Sequence, residues 1–293
     1  MNLALTVLEI VAPVFALAGI GFAWVKLGLD YPVQFVTRLA MTLGIPALIF
    51  VALMETEISP AALSRITLAA IVVYGALTLV MGALIWLGGL DARTWHAPFV
   101  MSNKGNIGLP LAFFAFGDEG LGFAVAVFAV STIYAFTIGL WLVTRTSNPL
   151  DLVREPMVGA TLLGALFLWQ GWQTPEVVTN TLRLVGQLGI PLMLITLGVA
   201  IARITPSGVG RAGLFAILKV FICGGIAAAV GHAFALPPVA LAILILQFAA
   251  PAAVTSYLIA EKYGADAQSV AGLVVLSTAL SVVSLPLILA MVL

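Results

Sequence analysis

Ten apolar runs separated by short polar connections leave this chain very few ways to fold. They extend from about Leu3 to Leu27, Val36 to Met54, Ala62 to Leu90, Trp95 to Phe116, Leu121 to Val143, Pro156 to Trp172, Val177 to Ala202, Gly213 to Leu236, Pro238 to Ala260 and Ala267 to Leu293. About 20 apolar residues wound as a helix cross the ~30 Å of a bilayer's hydrocarbon, where every backbone N–H and C=O needs a partner inside the protein. With 62% hydrophobic and 8% charged residues, against about 25% charged in soluble domains, no soluble core accommodates these runs. The expected class is an all-α integral membrane protein of ten transmembrane helices. The first run follows Met1-Asn2 without a basic n-region and is too long for a signal sequence, so it is read as a retained span.

The fourth run is interrupted. Met101-Ser-Asn-Lys-Gly-Asn-Ile-Gly-Leu-Pro110 places a full charge, two amides, two glycines and a proline where a lipid-embedded helix should have none. Unpaired peptide groups cost several kcal/mol in hydrocarbon, so such backbone persists only where protein buries it or where it lines a water-filled cavity. Discontinuous helices are how many secondary transporters build a substrate site near the midplane. Asn103, Lys104, Gly105, Asn106, Gly108 and Pro110 are therefore the first candidate binding residues.

The second half of the chain repeats the first. Arg38-Leu39 and Leu43-Gly-Ile-Pro46 recur as Arg183-Leu184 and Leu188-Gly-Ile-Pro191, an offset of 145. Leu63, Arg65 and Leu68 face Val209, Arg211 and Leu214 at 146, Ser131-Thr132 faces Ser277-Thr278 at 146, and Phe116-Gly117 faces Tyr263-Gly264 at 147. One near-constant offset through ordered landmarks indicates an internal repeat, residues 1–147 and 148–293. Five spans per repeat require the halves to insert with opposite orientation. Lys26, Arg38, Arg93, Arg145, Arg154, Arg203, Arg211 and Lys262 fall on one side and Arg65 and Arg183 on the other. The basic side is the cytoplasmic one, which puts both termini outside a cell inner (plasma) membrane.

The repeat maps the interrupted stretch onto Phe248 to Tyr257, preceded by Gln247. Pro251 removes a backbone donor, and Thr255 and Ser256 add hydroxyls, so the ninth span is a second broken helix. Breaks are expected near Lys104 to Gly108 and near Ala250 to Val254, crossing one another. Two half-helix N-termini, each carrying about half a positive charge, then converge on one point suited to an anion. Gln247, Pro251, Thr255 and Ser256 complete the candidate site.

Ten spans in an inverted five-plus-five repeat, the paired Leu-Gly-Ile-Pro strings and Asn106-x-Gly108-x-Pro110 together resemble the auxin efflux carrier family. That family includes plant PIN-type carriers and bacterial carriers assigned to malonate, malate and similar carboxylates, and its fold is similar to the bile-acid/sodium symporters. The resemblance covers essentially the whole chain. It implies a scaffold of spans one, two, six and seven, a mobile transport domain of spans three to five and eight to ten, and a homodimer through the scaffold. This chain lacks the large loop of the plant members between spans five and six and has no asparagine beside Pro251.

Other residues have duller readings. Lys219 lies about eight residues inside its span and is expected to snorkel toward the interface. Glu9 is interfacial, and Pro46 and Pro191 kink scaffold helices. Ser131, Thr132, Ser277 and Thr278 are expected to bond their own i−4 carbonyls. His96 and His232 are too isolated for a metal or catalytic set, and the single cysteine, Cys223, allows no disulfide framework, so no metal and no cofactor is expected.

Balanced charge, twelve basic against twelve acidic residues, gives no sign of a nucleic-acid partner. All five Asp lie at span ends or in connections, which disfavours a cation/proton antiporter, and no intramembrane catalytic constellation is present, so no enzyme is expected. The reading is a secondary transporter of a small organic anion by elevator-type alternating access, partnered by the lipid bilayer. A passive anion channel or a sodium-coupled organic-anion symporter of the bile-acid type is the alternative, and the coupling ion, proton or sodium, stays open. The orientation has a direct test. In a background without Cys223, an impermeant maleimide applied to whole cells is expected to label a cysteine placed at Glu176 and to reach one placed at Asn148 only after permeabilisation; the reverse pattern overturns the orientation.

Overall fold

The computed structural model describes residues 3–144, 155–204 and 209–293, which are helical apart from short connections and one isolated backbone bridge. Arg145, Asn148, Asp151, Arg154 and the 147/148 division lie outside the described residues.

In chain order the helices are α1 (Leu3–Lys26), α2 (Val33–Leu39), α3 (Ile45–Met54), α4 (Pro60–Leu87), α5 (Ala92–Val100), α6 (Leu109–Tyr134), α7 (Leu140–Thr144), α8 (Pro156–Gln170), α9 (Glu176–Gln187), α10 (Gly189–Arg203), α11 (Val209–Ala233), α12 (Pro238–Ala249), α13 (Val254–Lys262) and α14 (Ala267–Val292). Single π-helical turns at Ala40–Gly44, Lys104–Gly108 and Ala135–Gly139 join α2 to α3, lead into α6 and join α6 to α7.

Seven helical stretches are long and apolar enough to cross a membrane, and Pro156–Gln170 and Pro238–Ala249 are shorter apolar helices. One of the seven, Lys104–Val143, has 40 residues and is not one rod. Gly117 takes φ 60°, ψ −146°, a conformation open to glycine. A Cβ on Gly105 would sit 3.4 Å from the Phe128 ring, whereas 23 residues of straight helix would separate the two by about 35 Å. The chain therefore turns back at Gly117. The sequence reading placed a connection at residues 117–120, but the helix restarts at once, with Asp118 and Glu119 in its first turn, where negative charge suits the helix dipole.

Local signals set the other ends. Ser59 accepts from the Ala62 N–H at 3.2 Å ahead of Pro60, which opens α4. Asp266 caps α14 through the Ser269 N–H (3.1 Å) and hydroxyl (2.6 Å), and these bonds hold its carboxyl below the usual carboxylate range. Gly171, at φ 65°, closes α8 in the left-handed conformation.

Helices α1, α2–α3, α8 and α9–α10 pack through glycines. A Cβ on Gly198 would strike the carbonyl of Ala18, and one on Gly21 would strike that of Ile195, so α1 and α10 touch backbone to backbone. Gly44 and Gly189, the glycines of the two Leu-Gly-Ile-Pro strings, meet each other, a Cβ on Gly44 falling 3.0 Å from Gly189 Cα. Where lipid competes equally for apolar side chains, close backbone approach of this kind provides the packing contacts. Helices α4, α5, α6 and α11 to α14 contribute to a larger core that includes Leu77, Phe123, Val127, Ile243 and Phe248 and also takes in Ile45, Ile49 and Leu53 of α3 and Met193 of α10. Large apolar side chains such as Leu79, Trp86, Phe221 and Met291 point outward, the surface that a bilayer would cover.

Gly198→Leu is expected to lower the midpoint of thermal unfolding in detergent by several degrees, consistent with an overpacking cost of about 1–3 kcal/mol. Gly19→Ala, which meets nothing within 4 Å, serves as the unaffected control.

Candidate functional site

Residues 101–103, between α5 and the turn that leads into α6, and residues 250–253, between α12 and α13, leave helical geometry, and the two breaks pair. Ser102 and Ala252 form an antiparallel bridge in which the Asn103 N–H donates to the Pro251 carbonyl at 2.7 Å and the Ala253 N–H to the Met101 carbonyl at 3.0 Å. Pro251 has no N–H to satisfy, and its carbonyl is one of the bridge's two acceptors. The Ala252 N–H donates to Ser277 Oγ at 3.0 Å. Asn103 Oδ1 caps the following turn by accepting from the Asn106 N–H at 3.3 Å. The break precedes the expected Lys104 to Gly108, which is wound as a π-helical turn. The glycines are not the unwound residues; extended Met101 and the bridge with the other break make the interruption.

A cavity of about 910 Å³ opens beside this pair. Asn103, Lys104, Gly105, Asn106 and Thr255 line it; Gly108, Pro110, Gln247, Pro251 and Ser256 do not. Gly108 and Pro110 are buried at the start of the outgoing helix, and Gln247 packs behind Gly108 so closely that a Cβ there would strike its amide. Neither amide atom of Gln247 makes a hydrogen bond among the described residues, nor do Asn103 Nδ2, Lys104 Nζ and Ser256 Oγ. Two helical starts face the cavity, the Lys104–Gly108 turn and α13, whose first turn has no side-chain cap. The positive ends of their dipoles favour negative charge.

Lys104 is buried, its Nζ 4.0 Å from the ring centre of Phe248 and 4.9 Å from that of Tyr74. Such cation–π contacts are worth about 2 kcal/mol when desolvated. Tyr74 is itself fixed, donating to Ser131 Oγ at 2.7 Å and stacked on Tyr134 with centroids 4.4 Å apart.

Sequence reasoning missed three residues here. Arg38 and Arg203 line the cavity, although the sequence reading used them to orient the chain and Arg38 to mark the repeat; Arg203 Nη2 donates to the Tyr31 carbonyl at 3.0 Å. Lys219 does not snorkel: it is fully buried, with Nζ donating to Ser102 Oγ at 2.7 Å and to the Ala250 carbonyl at 3.1 Å. Helix α11 packs against α12 and α14, so depth along its own span did not reveal a partner on other helices. The hydroxyls also differ from expectation in part. Thr132 and Thr278 bond their i−4 carbonyls, Phe128 at 3.1 Å and Val274 at 2.7 Å, while Ser131 serves Tyr74 and Ser277 serves the second break.

A family profile described as membrane transport protein matches residues 141–289, more than half of the chain. The chain belongs to this family. The transporter is also similar to an uncharacterized transporter of Methanothermobacter thermautotrophicus, 27% identical over 295 aligned residues that cover 95% of this chain and 96% of that relative. Both agree with the resemblance to auxin efflux carriers read from the sequence, and with a multi-pass membrane protein that moves a small-molecule substrate.

Gly108→Ala drives a methyl group into the Gln247 amide and is expected to destabilise the transporter by about 1–3 kcal/mol. Joined with Gln247→Ala it should cost measurably less than the two changes summed, because truncation opens the space; strict additivity in thermal unfolding would show that the two residues do not touch.

Proposed function

We propose that this transporter is a secondary carrier for a small organic anion, a carboxylate of the malonate, malate or auxin-like class. The observation that carries the reading is the cavity itself. It brings two helix N-termini, an asparagine amide, the lysine turn and two arginines around one space of about 910 Å³, large enough for such a molecule. Arg38 and Arg203 belong to the sequence's basic side, so the cavity on this reading opens to the cytoplasm.

The ten spans are counted by taking the stretch on either side of Gly117 as two, and each broken helix as one. The contact between Gly44 and Gly189 supports an inverted repeat, since equivalent residues related by a two-fold axis touch only near that axis. The glycine-packed set α1 to α3 with α8 to α10 is the scaffold on this reading, and α4 to α7 with α11 to α14 is the moving domain. The cavity lies where they meet, with Met41, Met193 and Thr196 on one wall and Asn103, Phe128 and Thr255 on the other. Movement of one wall against the other, with the anion held on the breaks, is an elevator-type alternating access. The homodimer through the scaffold and the inner-membrane location are part of the same proposal.

Purified protein in liposomes, offered malonate, malate and indole-3-acetate, is expected to take up at least one with saturable kinetics; flux that does not saturate favours a channel. Lys104→Met supplies the sharper arm. An unpaired charge at membrane depth costs at least about 2.5–3.5 kcal/mol, a penalty that the two aromatic contacts at about 2 kcal/mol each offset without a large surplus, so the variant is expected to be about as stable as the parent. Affinity for the transported carboxylate should fall tenfold or more. An unchanged affinity would remove Lys104 from the site and leave the anion reading on the helix ends, Asn106 and the arginines.

A further inference from the structure

The pairing of the breaks leaves two helix C-termini as well as two N-termini, and they lie on the side of Lys219. Helix α5 ends at Val100 and α12 at Ala249, and their last carbonyls carry the negative end of each dipole. The side chains that meet them come from α11, one turn apart. Lys219 Nζ donates to the Ala250 carbonyl at 3.1 Å and to Ser102 Oγ at 2.7 Å; the Ser102 hydroxyl in turn donates a hydrogen bond to the Phe248 carbonyl at 2.8 Å. Cys223 Sγ faces the Phe99 carbonyl at 3.5 Å. One ammonium thus ties both breaks to a third helix, contacting α12's end directly and the first break through a serine.

In membrane carriers with discontinuous helices, unwound carbonyls and half-helix C-termini are where a coupling cation is coordinated. Here the same kind of oxygen set is occupied by a cation that the chain itself supplies. Both Lys219 and Ser102 are buried, and among the described residues the hydrogen-bond partners of the Lys219 ammonium are a hydroxyl and a carbonyl, not a carboxylate. The cost of a charge at this depth is offset by the Ala250 carbonyl and the Ser102 hydroxyl oxygen that face it; without the lysine the carbonyl would lose this partner.

We infer that Lys219 is a tethered cation: its ammonium fills a monovalent-cation site formed by the Ala250 carbonyl at the end of α12 and the Ser102 hydroxyl at the first break, so the wild-type transporter takes no free alkali cation there, and removing the ammonium exposes a latent site for sodium or a small alkylammonium. The inference concerns the cation alone. It stands whichever anion is carried, and its readout is thermal stability rather than transport, so its failure and the failure of the anion reading are separate results.

The test compares thermal unfolding of the purified protein in choline chloride with that in sodium, lithium and methylammonium chloride at constant ionic strength. Wild type is expected to show no saturable rise with any of them. Lys219→Ala should unfold several degrees lower in choline and recover saturably in sodium or methylammonium, while Lys219→Met, which fills the space with an apolar side chain, should stay low and unresponsive. A saturable sodium response of the wild type overturns the inference, because the site would then not be filled by the lysine. So does a Lys219→Met variant as stable as wild type together with an unresponsive Lys219→Ala, which would make the lysine mere packing. Should Lys219→Ala fail to fold in every salt, Ser102→Ala decides: it keeps the lysine and removes one of its two acceptors. A drop of several degrees supports the assignment, and an unchanged midpoint rejects it.

Discussion

Backbone polar groups released by two broken helices, deep in an apolar protein, are the constraint on which the rest of this structure depends. Each must find a partner, because water is scarce and an orphan costs several kcal/mol. The partners come from distant parts of the chain. Asn103 N–H goes to Pro251, Ala253 N–H to Met101, Ala252 N–H to Ser277 on α14, and the Ala250 carbonyl to Lys219 on α11. The break is therefore not a weak point in one helix; four helical segments hold it in common, and each break exists only because the other completes it.

This arrangement sorts charge. Helix N-termini face the cavity and helix C-termini face Lys219, so the same few residues present a positive field on one side and a negative field on the other. Aromatic rings border the divide: Tyr74 and Phe248 sit against Lys104, with Tyr134 stacked behind Tyr74. Around this centre the helices differ in how they meet. Gly21 with Ile195, Gly198 with Ala18 and Gly44 with Gly189 bring backbones into contact on one side of the cavity, while larger side chains such as Leu77, Phe123 and Phe248 fill the other.

Much of this could be read in advance, and the reasons are local. Runs of apolar residues report helices because the helix satisfies its own backbone, and the interruption at Met101 to Pro110 reports a break because nothing else tolerates such residues there. The repeat carried that inference to Pro251, where composition alone was silent. Two details misled. Glycines at 105 and 108 suggested the unwound residues, yet these wind into a π-helical turn and serve close approach to Phe128 and Gln247. Lys219 looked like an interfacial lysine because its depth was judged along its own helix.

The sequence by itself determined that the chain is helical, that it is built for a membrane, and that two segments half a chain apart interrupt their helices. These follow from the composition of contiguous segments and from a period, both of which are one-dimensional. Only the tertiary structure decided that the two interruptions bond to each other, that Arg38 and Arg203 reach the same cavity as Asn103, and that Lys219 ends on Ser102 and Ala250. The physical reason is rotational: each residue turns a helix by about 100°, so which side chains face one another depends on how helices more than a hundred residues apart are set against each other. That setting is fixed by close packing of glycines and aromatics, not by any local pattern.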